Sequence, residues 1–93
     1  MKNIGDGQSD VLDLIIRIGV VRWEKTLPNG VIRYYELRLQ KDLWDNYVLT
    51  HVWGSRGTRL GRLIHTPVEV DNLHSFIEQV STRRHSRGYT LTT

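Results

Sequence analysis

Ten consecutive residues, Trp53-Gly54-Ser55-Arg56-Gly57-Thr58-Arg59-Leu60-Gly61-Arg62, combine one large aromatic, three arginines and three glycines. Tryptophan offers a flat apolar face with a single N–H donor. Arginine is a permanent planar cation whose fork matches phosphate. Glycine lets a backbone turn through positive φ or approach a ligand closely. With Trp53 at the end of a strand-like run, Gly54 and Gly57 can turn their N–H groups into a shared nest that suits a phosphate. Arg56, Arg59 and Arg62 recur every third residue. In a strand that spacing alternates faces, so at most two of them converge on one ligand. The chemistry is that of a nucleic-acid backbone or end. A glycine-rich hairpin with Trp53 packed in the core explains the same residues.

The elements that position this stretch follow from periodicity. Residues 1–10 hold two Gly, two Asp, Asn, Gln and Ser and read as a flexible arm. Val11 to Lys25 is rich in Val and Ile and reads as a strand. Leu27-Pro28-Asn29-Gly30 is a turn signal. After it, Tyr35, Leu37 and Leu39 alternate with Tyr34, Glu36, Arg38 and Gln40, the pattern of a half-buried strand. Asp42-Leu43-Trp44-Asp45-Asn46 reads as a second turn in which Asp and Asn bond their own backbone, with Trp44 as a lid on the core. A third strand puts Tyr47, Leu49, His51 and Trp53 on one face and Val48, Thr50 and Val52 on the other. The Gly/Arg stretch then leads into a fourth strand over 59–65.

Thr66-Pro67-Val68-Glu69 has the form of a capping box. Asp71 competes as N-cap, so the helix starts between 67 and 72. Val70, Leu73, Phe76, Ile77 and Val80 form its apolar stripe. Arg83, Arg84 and His85 suit its negative end, and Gly88 suits its left-handed stop. The 93-residue length allows one core. The expectation is an α+β domain over 11–93: an antiparallel sheet of four to five strands covered by one long C-terminal α-helix.

Charge placement narrows the function. Residues 1–54 carry seven Lys/Arg and seven Asp/Glu, whereas residues 55–93 carry six Arg against Glu69, Asp71 and Glu78. The net charge of +3 therefore lies wholly in the C-terminal part, a pointer to an anionic partner. Arg83, Arg84 and Arg87 are a possible secondary basic patch, or simply complement the helix dipole. No cysteine is present, which excludes disulfides and thiolate metal sites. The four histidines have no metal-ligand spacing. His51 and His65 are expected on neighbouring strands as a facing polar pair. No catalytic constellation, cofactor motif, signal peptide or membrane span is evident. A cytoplasmic, non-enzymatic protein without metal or cofactor is expected.

From Arg33 to Tyr89 the chain resembles the WGR domain, the Trp-Gly-Arg family found in DNA-dependent poly(ADP-ribose) polymerases and in small or multidomain bacterial proteins. The resemblance is carried by Tyr35-Glu36-Leu37-Arg38-Leu39 as opening strand and by Trp53-Gly54 with Gly57 and Gly61 as signature turn. The helix with Phe76 and Val80, the basic Arg83-Arg84 and the closing Gly88-Tyr89 complete it. It implies that Trp53 packs against an exposed sugar or base and that the backbone at Gly54 approaches a phosphate. The third signature position is Ser55, so the arginine role passes, if at all, to Arg56. No ADP-ribosyltransferase activity carries over. The reading is a nucleic-acid-binding module, with DNA ends, nicks or backbone as ligand and little sequence specificity. Its expected contacts are Trp53, Gly54, Ser55, Arg56, Gly57, Arg59 and Arg62. The alternative is a protein-interaction module or homodimer, formed through the segment Val11 to Lys25.

Overall fold

The computed structural model describes residues 6–59 and 61–92. The chain order is α1 (Asp6–Ile18), β1 (Val20–Thr26), β2 (Ile32–Lys41), β3 (Tyr47–Ser55), β4 (Arg62–Val68), α2 (Val70–Ser86) and β5 (Thr90–Leu91). The five strands form one antiparallel sheet in the order β4-β3-β2-β1-β5. The α+β class and the long C-terminal helix agree with the sequence.

A second helix does not. Val11 to Ile18, expected as the start of a strand, is helical, and the strand begins only at Val20. Val11 and Ile15 are buried four residues apart, with Leu12 and Leu14 packed beside them. That is the i, i+4 spacing of a helix face. The β-branched content of the segment favours strand only weakly, and burial overrides such a preference. Of the arm expected over 1–10, residues 1–5 lie outside the described residues and 6–10 open α1.

Within the N-terminal segment only β1 joins the sheet, and β5 pairs with Trp23 and Glu24 on its outer side. β1 is flanked by β2 on one side and β5 on the other. Both helices cover one face of the sheet. The core there joins Val11 and Ile15 of α1, Leu73 and Ile77 of α2, and Val21, Trp23, Leu37, Leu49 and Val68 of the strands.

The register divides the strands as their alternation predicts. Trp23, Tyr35 and Trp53 are consecutive cross-strand neighbours on the helical face. Arg22, Glu36 and Val52 are neighbours on the open face. His51 and His65 do not face each other. His51 opposes Ile64 on the helical side, whereas His65 opposes Thr50 on the other. The His65 Nδ1 lies 2.8 Å from the buried Thr50 hydroxyl.

The turns obey their side chains. Asp42 Oδ1 accepts the amides of Trp44 and Asn46 at 2.8 and 2.9 Å. Trp44, expected as a lid on the core, is instead 77% exposed at this hairpin tip. The fourth strand runs over 62–68, three residues later than expected, because Thr66, Pro67 and Val68 extend it. Pro67 is tolerated because β4 lies at the sheet edge. Glu69 is the N-cap, so the Thr66–Glu69 capping box does not form. Val70 is exposed, and Ser81 joins Leu73 and Ile77 on the buried stripe of α2.

The end of α2 positions the functional side chains. Gly88 has φ +87, its amide donates to the His85 carbonyl at 3.0 Å, and the Tyr89 amide donates to the Arg84 carbonyl at 3.0 Å. These are the two bonds of a Schellman stop. They turn the chain back so that Tyr89 returns to the sheet beside Arg84. Among the described residues no helix is long and apolar enough to cross a membrane.

Candidate functional site

Where the helices leave the sheet uncovered, a cavity of about 620 Å³ opens on the helical face. β1 contributes Lys25, β2 contributes Arg33 and Tyr35, and β3 contributes His51 and Trp53. Ile64 and Thr66 of β4 form one wall; Phe76 and Arg84 of α2, with Arg87 and Tyr89 beyond it, form the other.

The floor is aromatic. Tyr35 and Trp53 lie with ring centroids 6.1 Å apart and planes within 17° of parallel. Trp23 abuts Tyr35 edge-on at 6.2 Å, and His51 sits 5.9 Å from Phe76. The Arg84 guanidinium lies 4.1 Å over the Tyr35 ring and 5.2 Å from that of Tyr89. Such cation–π contacts hold a guanidinium in place while leaving its hydrogen-bonding edge available.

The rim is cationic. Lys25 and Arg33 are directly opposite in the β1–β2 register, a like-charge cross-strand pair that is unfavourable by itself. Arg84 and Arg87 add two further cations, and no carboxylate lines the cavity. Among the described residues none of these four cations pairs with an acid. Lys25 donates instead to the Arg87 carbonyl at 2.8 Å. The Nε atoms of Arg33 and Arg84 are buried without a hydrogen-bond partner. A buried donor left unpaired costs about 1–3 kcal/mol.

Burial shapes the protonation states. Burial pulls the Arg84 guanidinium below its ordinary pKa, with Arg87 and Arg83 acting in the same direction against Tyr35 and Tyr89. It remains charged, as arginine does in proteins. Burial raises the Tyr35 phenol, outweighing the lowering by Arg84. Burial lowers the His51 imidazole, and the positive Arg84 lowers it further. Tyr35 Oη and His51 Nδ1 are 2.6 Å apart. With both groups neutral, the imidazole tautomer sets the direction: the hydroxyl donates to Nδ1 when Nε2 carries the proton, and accepts from Nδ1–H in the other tautomer.

The expected contact residues divide. Trp53 lies in the cavity, and Ser55 and Arg62 share its face by register, opposite Arg33 and Trp53 respectively. Arg84 and Arg87 of the secondary patch line the same cavity as Trp53. Arg83 lies apart, on a second groove along α2. Arg59 is exposed in the turn. Arg56 reaches the opposite face, where its Nη1 lies 3.5 Å from Glu24, so the structure does not place it as a substitute for the signature arginine.

The amides on either side of Gly57 are already bonded. Gly57 has φ +83, but the Arg56 amide donates to the Ile32 carbonyl at 2.8 Å and the Thr58 amide to that of Ser55 at 3.3 Å. Gly54 serves packing: a Cβ there would lie 3.1 Å from the Gly61 Cα and 3.1 Å from the Tyr34 hydroxyl. Gly54 and Gly61 together leave room for the Tyr34 hydroxyl, whereas nothing lies within 4 Å of where a Cβ on Gly57 would sit.

Lys25, Arg33, Tyr35, His51 and Phe76 were missed as site residues. A signal existed for the first two. Val21-Trp23-Lys25 and Arg33-Tyr35-Leu37 each place a cation on an otherwise apolar strand face, on either side of the Pro28-Asn29-Gly30 turn. Hairpin pairing therefore makes them neighbours. Among the described residues no group of three or more His, Cys, Asp or Glu is placed to hold a metal ion.

Comparison with known proteins gives no match: no family model, no curated protein and no solved structure matches the chain.

Proposed function

We propose that this chain is a non-enzymatic nucleic-acid-binding module, with DNA as ligand and little sequence specificity. The observation that carries the reading is the acid-free cavity in which the Tyr35–Trp53 floor meets Lys25, Arg33, Arg84 and Arg87. An exposed base or sugar packs on Trp53 while phosphates meet the cations. Base–aromatic stacking is indifferent to sequence because every base has a π-face. Arg62, opposite Trp53 in the β3–β4 register, extends the cationic rim beside it. The resemblance of Trp53-Gly54, Gly57, Gly61 and Gly88-Tyr89 to the WGR signature supports the same reading. The electrostatic contacts move from Arg56 to the Arg33–Arg84 group.

The experiment is a binding titration with blunt, nicked and single-stranded oligonucleotides at two salt concentrations. Each neutralised phosphate contributes a log–log slope of about −0.7 to −0.9. Three such contacts make a fourfold rise in salt cost about twenty- to fortyfold in affinity. Absence of binding to all three oligonucleotides at low salt sinks the reading.

A further inference from the structure

The cavity has a counterpart at the other pole of the sheet. β2 spans ten residues between the two, about 30 Å at strand rise. At its far end the β2–β3 hairpin tip, Asp42-Leu43-Trp44-Asp45-Asn46, holds Leu43 92% and Trp44 77% exposed. This tip is built rather than loose. Asp42 fixes two amides, the Asp42 amide donates to the Asn46 carbonyl at 2.9 Å, and Asp45 adopts φ 66. The Asn46 amide, and after it that of Trp44, keep the Asp42 carboxyl below its ordinary range, hence ionised at neutral pH. The tip thus presents one large aromatic between two carboxylates. The cavity presents an aromatic floor with four cations that, among the described residues, have no acid partner.

We propose that the Asp42–Asn46 tip of one copy docks into the Trp53–Arg84 cavity of a second copy. Trp44 packs against the aromatic floor, and Asp42 and Asp45 meet Arg33, Arg84 and Lys25. Charge complementarity selects this occupant: two acids flanking an aromatic match an acid-free basic aromatic pocket. A preordered tip loses little conformational freedom on docking, which favours binding. Because the two surfaces differ and lie at opposite poles, the contact is heterologous and adds copies head to tail. A five-residue tip buries little area, in the range of weak, transient contacts. The inference stands on the cavity's charge and shape and does not require that nucleic acid bind there.

The test is light scattering of the full chain, free of nucleic acid, over rising concentration. The average mass is expected to climb above the monomer and to fall back when salt is raised. Trp44→Ser, which loses the tip, and Arg84→Gln, which weakens the cavity, are each expected to remain monomeric. Mixed one to one, they are expected to form a two-chain species and stop there, since one intact tip meets one intact cavity. Circular dichroism establishes that both variants are folded; Asp45→Lys substitutes for Trp44→Ser should the latter unfold. A wild-type chain that stays monomeric throughout overturns the inference. So does a folded Trp44→Ser that assembles like wild type, or a folded mixture that stays monomeric. Oligonucleotide binding with no self-association leaves the proposed function standing and removes this inference alone.

Discussion

On the open face of the sheet, Arg22 and Arg38 reach Glu36 at 3.1 and 2.6 Å, and Arg22 and Arg56 reach Glu24 at 3.0 and 3.5 Å. On the helical face, Lys25, Arg33, Arg84 and Arg87 surround a cavity that contains no acid. The same strands carry both sets. Arg22 and Lys25 lie on β1, and Arg38 and Arg33 on β2. On the open face the cations are spent on stability, each guanidinium bonded to a carboxylate. On the helical face none of the four is bonded to a carboxylate among the described residues, and Arg33 and Arg84 are partly buried. Net charge over the chain does not distinguish these situations; the face on which each cation lies does.

The largest expected effect sharpens the division. Trp53→Ala removes the stacking platform, worth about 1–3 kcal/mol per base, so oligonucleotide affinity is expected to fall roughly five- to hundredfold. Equal affinity for wild type and Trp53→Ala in a fluorescence titration would contradict the assignment of the floor. Next, Arg84→Gln is expected to reduce the magnitude of the salt slope by about one contact's worth, roughly 0.7–0.9. Arg22→Gln on the open face leaves the slope unchanged. A slope that responds equally to both substitutions would erase the contrast between the faces.

Stability gives opposite signs on the two faces. Glu36→Gln leaves Arg22 and Arg38 short of their partner and is expected to destabilise by about 1 kcal/mol, the upper end for partly exposed pairs. Arg33→Met removes a like-charge neighbour of Lys25 and an unpaired buried donor. It is expected to stabilise by up to about 1 kcal/mol while weakening oligonucleotide binding. Denaturant melts of both variants decide this, and destabilisation by Arg33→Met would show that the cavity cations are structurally satisfied.

The smallest effect is a pH dependence from His51. Its folded pKa is depressed, by burial first and Arg84 second. The unfolded chain therefore takes up the proton first, and stability falls as pH drops below the ordinary imidazole value of about 6.5. A bound anion raises the same pKa, so oligonucleotide affinity is expected to rise over that acid range. His51→Gln is expected to flatten both trends. Affinity and stability that move together with pH would place His51 outside the site.

Much of the sheet was legible because alternation is a local property. Tyr35, Leu37 and Leu39 separate from Tyr34, Glu36 and Arg38 in the sequence, and the register keeps them apart. The Asp42 turn and the Gly88 stop were legible because each is fixed by side-chain chemistry within a few residues. α1 was missed although Val11 and Ile15 already stand at helical spacing, because the β-branched residues among Val11 to Ile18 drew the reading to a strand. Thr66-Pro67-Val68-Glu69 misled for a similar reason. Its capping pattern is real, but pairing with β3 keeps Thr66 to Val68 in a strand.

The candidate site divides the same way. By itself the sequence determined that Trp53 shares a strand face with Leu49, although the strand runs on to Ser55, that arginines cluster in the second half, and that a helix ends near Arg84 and is closed by Gly88. Those are consequences of spacing and of intrinsic residue geometry. Only the tertiary structure decided which cations converge. It turned Arg56 to Glu24, assigned the glycine at 54 to the Tyr34 hydroxyl, and brought Lys25 and Arg33 beneath Arg84. Those residues lie up to 62 positions apart in the chain, as in the Lys25–Arg87 bond. Charge acts through space, so the distances that decide whether cations are neutralised or left to bind an anion exist only once the sheet and α2 have packed together.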